Sequence, residues 1–470
     1  MKFALIFAIA SLISGALFCL ALPPADFWFF GWVAFVPVMI VVRDRGFLFG
    51  FIGGLLALFT TAFLVKSGVF YSEKAFIGED GWIMTGCGLF GFVASILLGF
   101  WGDKGSSKPI WWFAALAILL EASLLVVLPA HLALTQYRQY LFLWISSIGG
   151  IWLVSFLIWA ANMAIAEAIR LKEWRRLIIP TLGLITVAVL SPIISNREES
   201  GMEFGLVQTD KTDAESLGAL HHKASLSNKT IVVWPEFAGL GIATRGNTKP
   251  LQDVAAKYGG AAIVTSYNDD FPPRPHNVAS LISPTKTSAS YFKRKLFGGE
   301  KNMHTPGNSA VAVDSPQGRI ALGVCFDSCY PSIIREAANL PGVVAMVLPT
   351  IDPESPHHFI AAIHAAFTPF RAAENGVAIA RADGFAYSMV VDGQGRIALE
   401  LPPGEAAANA GVSLGGPTAY RKLGDWFLYA SILGVVYGVF AYRKPKKKAA
   451  LSEEERLKVF ADETIREIKS

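Results

Sequence analysis

The chain has 470 residues, of which 53% are hydrophobic and only 17% are charged. This composition excludes an ordinary soluble protein, and the small net charge of +4 gives no reason to expect a nucleic-acid partner. Its four cysteines are too few for a disulfide framework in a chain of this length, which predicts two or three domains.

Residues 1–195 carry seven apolar runs, each close to or above the ~20 residues that cross a bilayer as a helix. We therefore predict a polytopic α-helical membrane domain with seven transmembrane helices. The runs cover residues 3–22, 26–42, 46–65, 82–101, 110–130, 141–166 and 176–194.

Basic residues alternate along these runs, with Lys2, Arg43, Lys104 and Arg170 all falling on one side. The positive-inside rule then places the N-terminus in the cytoplasm, so that the chain leaves the seventh run on the outer side. A last apolar run predicts an eighth transmembrane helix over residues 424–443, and the basic stretch RKPKKK (443–448) follows it. That stretch gives the same topology, with residues 444–470 as a cytoplasmic charged tail.

Between these membrane segments, residues 200–416 have the composition of an external α/β domain that can bury a sizeable core. Helical stretches are expected at 250–258 and 358–375. Short strand-like runs lie at 204–208, 230–234, 261–266, 309–313, 320–325, 343–349, 377–381 and 388–391.

Three polar residues stand at predicted strand ends of this domain: Glu236, Lys293 and Cys325. Each alone is weak, because a Glu or Lys there is usually a solvated charge and a cysteine in an apolar run is usually an inert core residue. A nucleophile at a strand end is nevertheless well placed, since it is exposed and neighbours the N–H groups of a following helix.

Taken together and in this order, the three residues resemble the Glu-Lys-Cys set of the nitrilase (carbon–nitrogen hydrolase) superfamily. The matching stretches are WPE (234–236), YFKRKL (291–296) and CFDSCYP (325–331). The resemblance implies a nitrilase-like αββα sandwich in which Cys325 is the nucleophile, Glu236 the base and Lys293 the oxyanion stabiliser. It also implies that Cys329 is not the nucleophile.

With seven spans before the domain and one after it, the chain resembles the apolipoprotein N-acyltransferase family. Similar motifs are LALPP (20–24), GIWLVSF (150–156) with Asn162, FRAAENG (370–376) and TAYRKLGDW (418–426). The resemblance implies a phospholipid acyl donor, a Cys325 thioester and the N-terminal amine of a diacylated lipoprotein as acceptor. It implies no cofactor, a monomer, and a bacterial plasma (inner) membrane with the catalytic domain on the periplasmic face and both termini cytoplasmic.

Supporting or substrate-loop residues implied by the resemblance are Glu300, Phe326 and Asp327. Glu300 lies in FGGE (297–300), one residue earlier than in the family, and Asp327 stands where the family has Glu. PTIDPESP (349–356) replaces the family's usual loop after the third strand. Two alternatives therefore stay open: a related membrane amidase or acyltransferase with another amine acceptor, and a catalytically silent membrane scaffold.

A metal site is the remaining interpretation, because His357, His358 and His364 lie close in sequence. A separation of six residues between His358 and His364 does not share a helix face well, and no His-Glu-x-x-His motif is present. We predict no metal.

Overall fold

A computed structural model describes most of the chain. The described residues are 2–67, 80–104, 108–126, 129–178, 181–182, 185–186, 201–239, 241–244, 246–269, 274–353 and 358–442. The predicted seventh apolar run lies mostly, and the predicted charged tail wholly, outside them.

Apolar helices form the N-terminal part. They are α1 (Lys2–Ala21), α2 (Val36–Val42), α3 (Phe47–Ser67), α4 (Asp80–Gly102), α5 (Ile110–Ser123) and α6 (Tyr140–Leu171). Within the described residues, three are long and apolar enough to cross a membrane: α1, α6 and the Phe47–Val65 part of α3. The seven-span arrangement stays a prediction.

The predicted run 26–42 does not form one continuous helix. A 3₁₀ helix over Trp28–Trp32 is followed by a turn and then by α2, which carries Pro37 at its start. Proline is readily placed in the first turn of a helix but disrupts a helix interior. The segment therefore turns within the bundle instead of running straight.

Two glycines allow the helices of the bundle to approach closely. A Cβ atom added to Gly15 in α1 would lie 2.0 Å from the carbonyl oxygen of Ala57 in α3. One added to Gly50 in α3 would lie 1.9 Å from the carbonyl oxygen of Leu98 in α4. Small residues at such crossings let apolar helices pack backbone to backbone.

Helix α6 is interrupted at Gly150, whose φ of 72° and ψ of −177° are not helical. The helical course resumes at Ile151, and its backbone N–H donates to Oε1 of Glu374 at 2.7 Å. A carboxylate at a helix start satisfies an orphan donor and meets the positive end of the helix dipole. The α/β domain is thus attached to the broken helix by the buried side chain of Glu374.

The α/β domain contains two six-stranded sheets within the described residues. The first has the order β12-β1-β2-β3-β4-β5 and the second β11-β10-β9-β8-β7-β6. The strands are β1 (Gly201–Gln208), β2 (Ile231–Val233), β3 (Ala262–Asn268), β4 (Asn277–Ile282), β5 (Tyr291–Phe292), β6 (Val311–Ser315), β7 (Gly318–Leu322), β8 (Val343–Pro349), β9 (Ala378–Ala382), β10 (Met389–Val391), β11 (Ile397–Glu400) and β12 (Ala406–Ser413).

The inner faces of the two sheets share one apolar core, in which Phe204 and Val233 of one sheet join Ile320 and Val347 of the other. Central strands are parallel within each sheet, since β1, β2 and β3 run together and so do β7, β8 and β9. Their carboxyl ends therefore lie at a common edge, where polar side chains from separate strands can meet.

Helices cover the outer faces, which confirms the predicted αββα sandwich. They are α7 (Ala214–Ala224) and α8 (Lys249–Lys257) on the first sheet, with α10 (Pro331–Ala338) and α12 (Phe367–Asn375) on the second. Two short helices, α9 (Glu300–Met303) and α11 (Phe359–Ala365), line the cavity described below. The stretch predicted as a single helix at 358–375 is divided at Ala366. Then α13 (Ala419–Leu423) leads to α14 (Trp426–Ala441), which packs on α5 through a 2.9 Å hydrogen bond from Trp112 Nε1 to Val435 O.

Candidate active site

Glu236 follows β2 and is buried, with 2% of its surface exposed. Its backbone N–H donates to Thr350 O at 3.1 Å, which ties the end of β2 to the loop after β8 in the other sheet. The side chain is held as well, since Oε2 accepts from Ile351 N at 3.2 Å. The carboxylate therefore sits at the seam between the two sheets.

Lys293 follows the short strand β5 and is 1% exposed. Its ammonium donates to Oε1 of Glu236 at 2.8 Å and to Oε2 of Glu300 at 2.7 Å. Burying a cation is costly unless it is paired and hydrogen-bonded, and two carboxylates meet that condition here. Glu300 comes one residue earlier in the sequence than the family pattern, but its carboxylate still contacts the ammonium of Lys293.

Asn277 completes this arrangement and had no signal in the sequence. Its Nδ2 atom donates to Oε1 of Glu236 at 2.6 Å and lies 3.4 Å from Oε1 of Glu300. The amide holds both carboxylates in fixed positions around the ammonium of Lys293. A lone Asn at the start of a strand is common, so only the fold identifies this role.

Cys325 lies just beyond β7, as the first residue of a 3₁₀ helix over Cys325–Cys329, and is 5% exposed. Its φ of +48° is unusual for a residue that is not glycine. Strained backbone of this kind is concentrated at functional sites. Its sulfur lies 3.8 Å from Ile351 O, the residue whose N–H binds Glu236.

The three predicted residues influence one another's ionisation. Burial and then the neighbouring Glu236 raise the pKa of Cys325 well above its usual value. Burial also raises the pKa of Glu236, although Lys293 and a hydrogen bond with Cys325 oppose that rise. Burial would lower the pKa of Lys293, but the negative charge available on Cys325, Glu236 and Glu300 outweighs it and raises that pKa. The site therefore holds a resting thiol next to a carboxylate and a permanent ammonium.

Asp327 connects the Lys293 loop to the Cys325 loop. Its two oxygens accept from one hydroxyl and three backbone N–H groups: Tyr291 Oη (2.7 Å), Lys295 N (2.8 Å), Val324 N (3.1 Å) and Arg294 N (3.2 Å). The carboxylate is fully buried, and burial raises its pKa despite these bonds. Asp327 fixes the distance between the Lys293 ammonium and the Cys325 thiol.

Phe326 lies in an aromatic cluster next to Cys325. Its ring centroid is 4.9 Å from that of Phe297 and 5.3 Å from that of Tyr330, in edge-to-face arrangements. Such packing fixes a ring without closing the space beside it. The side chain lines the cavity described below.

A second polar cluster lies on the other side of Cys325 and was not predicted as part of the site. Ser328 Oγ lies 2.8 Å from His364 Nε2, and His364 Nδ1 lies 2.6 Å from Asp352 Oδ1. Arg381 binds the other oxygen of Asp352 and also Asp383, at 3.1 Å. His364 and Arg381 together hold the pKa of Asp352 below its usual range, although burial acts in the opposite direction.

Cys325, Asp352 and His364 offer possible ligand atoms within 4.8 Å of one another. A metal would need a free imidazole nitrogen and a free carboxylate oxygen. Both His364 nitrogens are hydrogen-bonded, and Asp352 is engaged by His364 and Arg381. The donor set therefore fits an ion-pair network and does not fit a metal site.

A cavity of about 530 Å³ opens onto all three predicted catalytic residues. Its polar end contains Glu236, Lys293 and Cys325 with their neighbours. Its other end is made by apolar helices of the N-terminal bundle: Phe18 and Leu22 near the end of α1, Leu58 and Thr61 of α3, and Phe90 of α4. The volume is typical of a site for a small ligand or part of a lipid.

Comparisons with known proteins agree with the division of the chain into an N-terminal helical domain and an α/β domain. Residues 14–164 match the model of the apolipoprotein N-acyltransferase N-terminal domain, and residues 207–422 match the carbon-nitrogen hydrolase model. A curated apolipoprotein N-acyltransferase from Geobacter metallireducens is 26% identical, over 92% of this chain and 95% of its own length. One from Gloeobacter violaceus is 27% identical over 35% of this chain and 30% of its own length.

Among solved structures, a mutant amidase from Nesterenkonia sp. AN1 is 21% identical, covering 51% of this chain and 100% of its own, with a TM-score of 0.40. The two family models together cover most of the chain, in the order and places that the motifs indicated. The chain thus joins the N-terminal domain of apolipoprotein N-acyltransferases to a carbon-nitrogen hydrolase domain, and it is an enzyme similar to the apolipoprotein N-acyltransferases.

Proposed function

We propose that this enzyme moves a fatty acyl chain from a membrane phospholipid, through a thioester on Cys325, to the N-terminal amine of a diacylglyceryl-cysteine on lipoproteins. The observation that carries this proposal is the cavity, which joins the buried Glu236, Lys293 and Cys325 to apolar side chains of the membrane helices. An acyl ester can present its carbonyl at one end while its chain lies among the helices.

In the first half-reaction, the Cys325 sulfur attacks the ester carbonyl and Glu236 accepts the thiol proton. The resulting oxyanion is stabilised by the Lys293 ammonium and by the N–H of Phe326, the residue after the nucleophile. When the carbon–oxygen bond breaks, Glu236 returns the proton to the departing lysophospholipid alkoxide. The acyl chain then remains on Cys325 as a thioester.

In the second half-reaction, the amine of the acceptor attacks the thioester carbonyl. Glu236 accepts a proton from the amine, and the Cys325 thiolate leaves and is reprotonated. The amide product carries the acyl chain and the free thiol is restored. Because Cys325 is only 5% exposed and the cavity continues into apolar helices, water is kept from the thioester.

The acceptor is proposed from the names of the relatives, since curated relatives of this chain are apolipoprotein N-acyltransferases. The enzyme is proposed to act as a monomer in a bacterial inner membrane. The periplasmic position of its catalytic domain and the cytoplasmic position of both termini rest on the distribution of basic residues.

A purified full-length enzyme given phospholipid and a diacylated lipopeptide tests this proposal. Wild type should produce the N-acylated lipopeptide, and Cys325→Ala should produce none. Cys19→Ala, which removes a thiol in the helix bundle, is the matched control and should remain active. Retained activity in Cys325→Ala would overturn the assignment of the nucleophile.

The range of acceptors tests the finer part of the proposal. The loop after β8 differs from the family pattern, so acceptors without the diacylglyceryl group should be compared with the lipopeptide. Strong preference for the diacylated amine supports lipoprotein N-acylation. Equal or better transfer to a simple amine would favour a related membrane acyltransferase, and no transfer to any acceptor would favour a silent scaffold.

A further inference from the structure

The hydroxyl of Ser328 determines where protons lie in the second polar cluster. Ser328 Oγ is 2.9 Å from the carbonyl oxygen of Cys325, which can only accept, so the hydroxyl proton is donated there. The same oxygen is 2.8 Å from His364 Nε2 and accepts at that contact. Nε2 of His364 therefore carries a proton.

The other nitrogen of His364 is also protonated. Nδ1 is 2.6 Å from Oδ1 of Asp352, whose second oxygen binds Arg381 and which is therefore a carboxylate. A carboxylate accepts and does not donate, so Nδ1 is the donor. Burial would lower the pKa of His364, but Asp352 and, after it, Cys329 outweigh burial and raise that pKa to about 10. His364 is thus an imidazolium with both protons committed.

This chain of bonds ends on the backbone of the nucleophile. The carbonyl of Cys325 and the N–H of Phe326 belong to one planar peptide group and point in opposite directions. Fixing the carbonyl therefore fixes the direction of the N–H. Phe326 lies in the first turn of the 3₁₀ helix, where leading N–H groups have no partner inside the helix. Cys325 needs such restraint because its φ of +48° is a disfavoured conformation.

We propose that His364 is a positioning residue for acyl transfer: through Ser328 it fixes the Cys325–Phe326 peptide and so directs the Phe326 N–H at the oxyanion. The inference rests on the proposed thioester chemistry at Cys325. It assigns to His364 and Ser328 an effect on the transition state, without contact with the reacting atoms.

Two substitutions of His364 separate this role from a general effect of its charge. His364→Gln places an amide N–H near the position of Nε2 and can still donate to Ser328. His364→Asn places its amide near Nδ1, which keeps the contact with Asp352 but leaves Ser328 without its donor. Both remove the positive charge. Ser328→Ala removes the last bond of the chain directly.

The measurement compares two reactions of Cys325 in the full-length enzyme, each located by mass spectrometry of the peptide. Acyl-enzyme formation from phospholipid passes through an oxyanion, whereas alkylation by iodoacetamide does not. His364→Asn and Ser328→Ala should slow acylation by about 10- to 100-fold, below the loss for removing a whole oxyanion donor. Alkylation should stay within about 2-fold, and His364→Gln should acylate within about 5-fold of wild type.

The double variant Ser328→Ala/His364→Asn should be no slower than the slower single variant, because both break one chain of bonds. His222→Asn, at an exposed histidine, is the control for the substitution itself. Equal acylation rates in His364→Gln and His364→Asn, or alkylation that falls in parallel with acylation, would overturn the proposal. If either histidine variant does not fold, Ser328→Ala tests the proposal alone: its acylation rate should fall while its alkylation rate stays unchanged, and a parallel fall in both rates would overturn the proposal. Failure of wild type to form an acyl-enzyme would instead overturn the proposed function.

Discussion

The two ends of the cavity differ in polarity. Its catalytic end includes the buried ionisable side chains of Glu236, Lys293, Cys325, Asp352 and His364. Its bundle end is lined mainly by apolar side chains, together with Thr61 and His131. Charges in a low-dielectric space act strongly on a reacting group, whereas apolar walls distinguish ligands only by size and shape. Chemistry and chain selection can therefore be changed separately.

Loss of the ammonium at the catalytic end should have the largest effect. Lys293→Met leaves Glu236 and Glu300 facing each other without their shared cation and removes the proposed oxyanion stabiliser. Acyl-enzyme formation should slow by about 10²- to 10³-fold, as expected for a lost oxyanion donor. The loss should appear in kcat. Lys295→Met, at an exposed lysine two residues later, should remain within about 2-fold.

A change at the bundle end should alter chain selection without altering chemistry. Leu58→Trp adds volume to a buried cavity-lining position of α3. Long acyl chains should be transferred about 10-fold less well than short ones, because each excluded methylene in an apolar pocket has an effect of that order. Competition between phospholipids of different chain length measures the ratio.

The matched control is Phe59→Trp, on the neighbouring residue, which is 65% exposed and faces away from the cavity. It should leave the ratio unchanged. An equal loss for all chain lengths in Leu58→Trp would contradict the separation of the two ends.

Asp327 should affect stability more than chemistry. Asp327→Asn replaces one accepting oxygen by a donor, so that buried N–H groups of the Lys293 loop or Val324 lose their acceptor. The expected loss is about 1–3 kcal/mol of unfolding free energy. Chemical unfolding in detergent measures it, with the exposed Asp314→Asn as control. Unchanged stability together with abolished activity would show that Asp327 acts on substrate instead.

The pH dependence should give the smallest effect. Glu236 must be ionised to accept a proton, and burial raises its pKa above the usual value of 4.5. Activity should therefore fall with decreasing pH at a midpoint above 4.5, as a property of the coupled Glu236–Cys325 pair. The profile of kcat/KM for phospholipid gives this midpoint, with unfolding measured at each pH. A midpoint at or below 4.5 would contradict a buried base.

Glu236, Lys293 and Cys325, which the structure brings together, could be singled out from the sequence because each residue follows a strand and the three occur in the family's order. Their catalytic roles stay a prediction. Asn277 and the Ser328–His364–Asp352 chain were not predicted as parts of the site. Their contacts join residues far apart in the chain, and neither hydrophobic periodicity nor local motifs encode such contacts. The sequence suggested His364 only as a candidate metal ligand, and its spacing from His358 argued against that role.

The same limits explain the misplaced elements of the fold. Strong apolar runs gave the central strands and most helices, but β12 was missed because Ala406–Ser413 is rich in alanine and polar residues. It forms through pairing with β1, from Gly201 opposite Ser413 to Gln208 opposite Ala406. Tertiary pairing there outweighs local propensity. The break between α11 and α12 did have a signal in the sequence, because Pro369 is tolerated in the first turn of α12 but would disrupt the interior of one continuous helix.

Mass spectrometry of intact enzyme incubated with phospholipid alone tests the central claim most directly. The account predicts that wild type gains the mass of one acyl chain, that the label maps to Cys325 and is removed by hydroxylamine, and that Cys325→Ala gains none. An unlabelled wild-type enzyme that still N-acylates the acceptor, or a label on another residue, would contradict it.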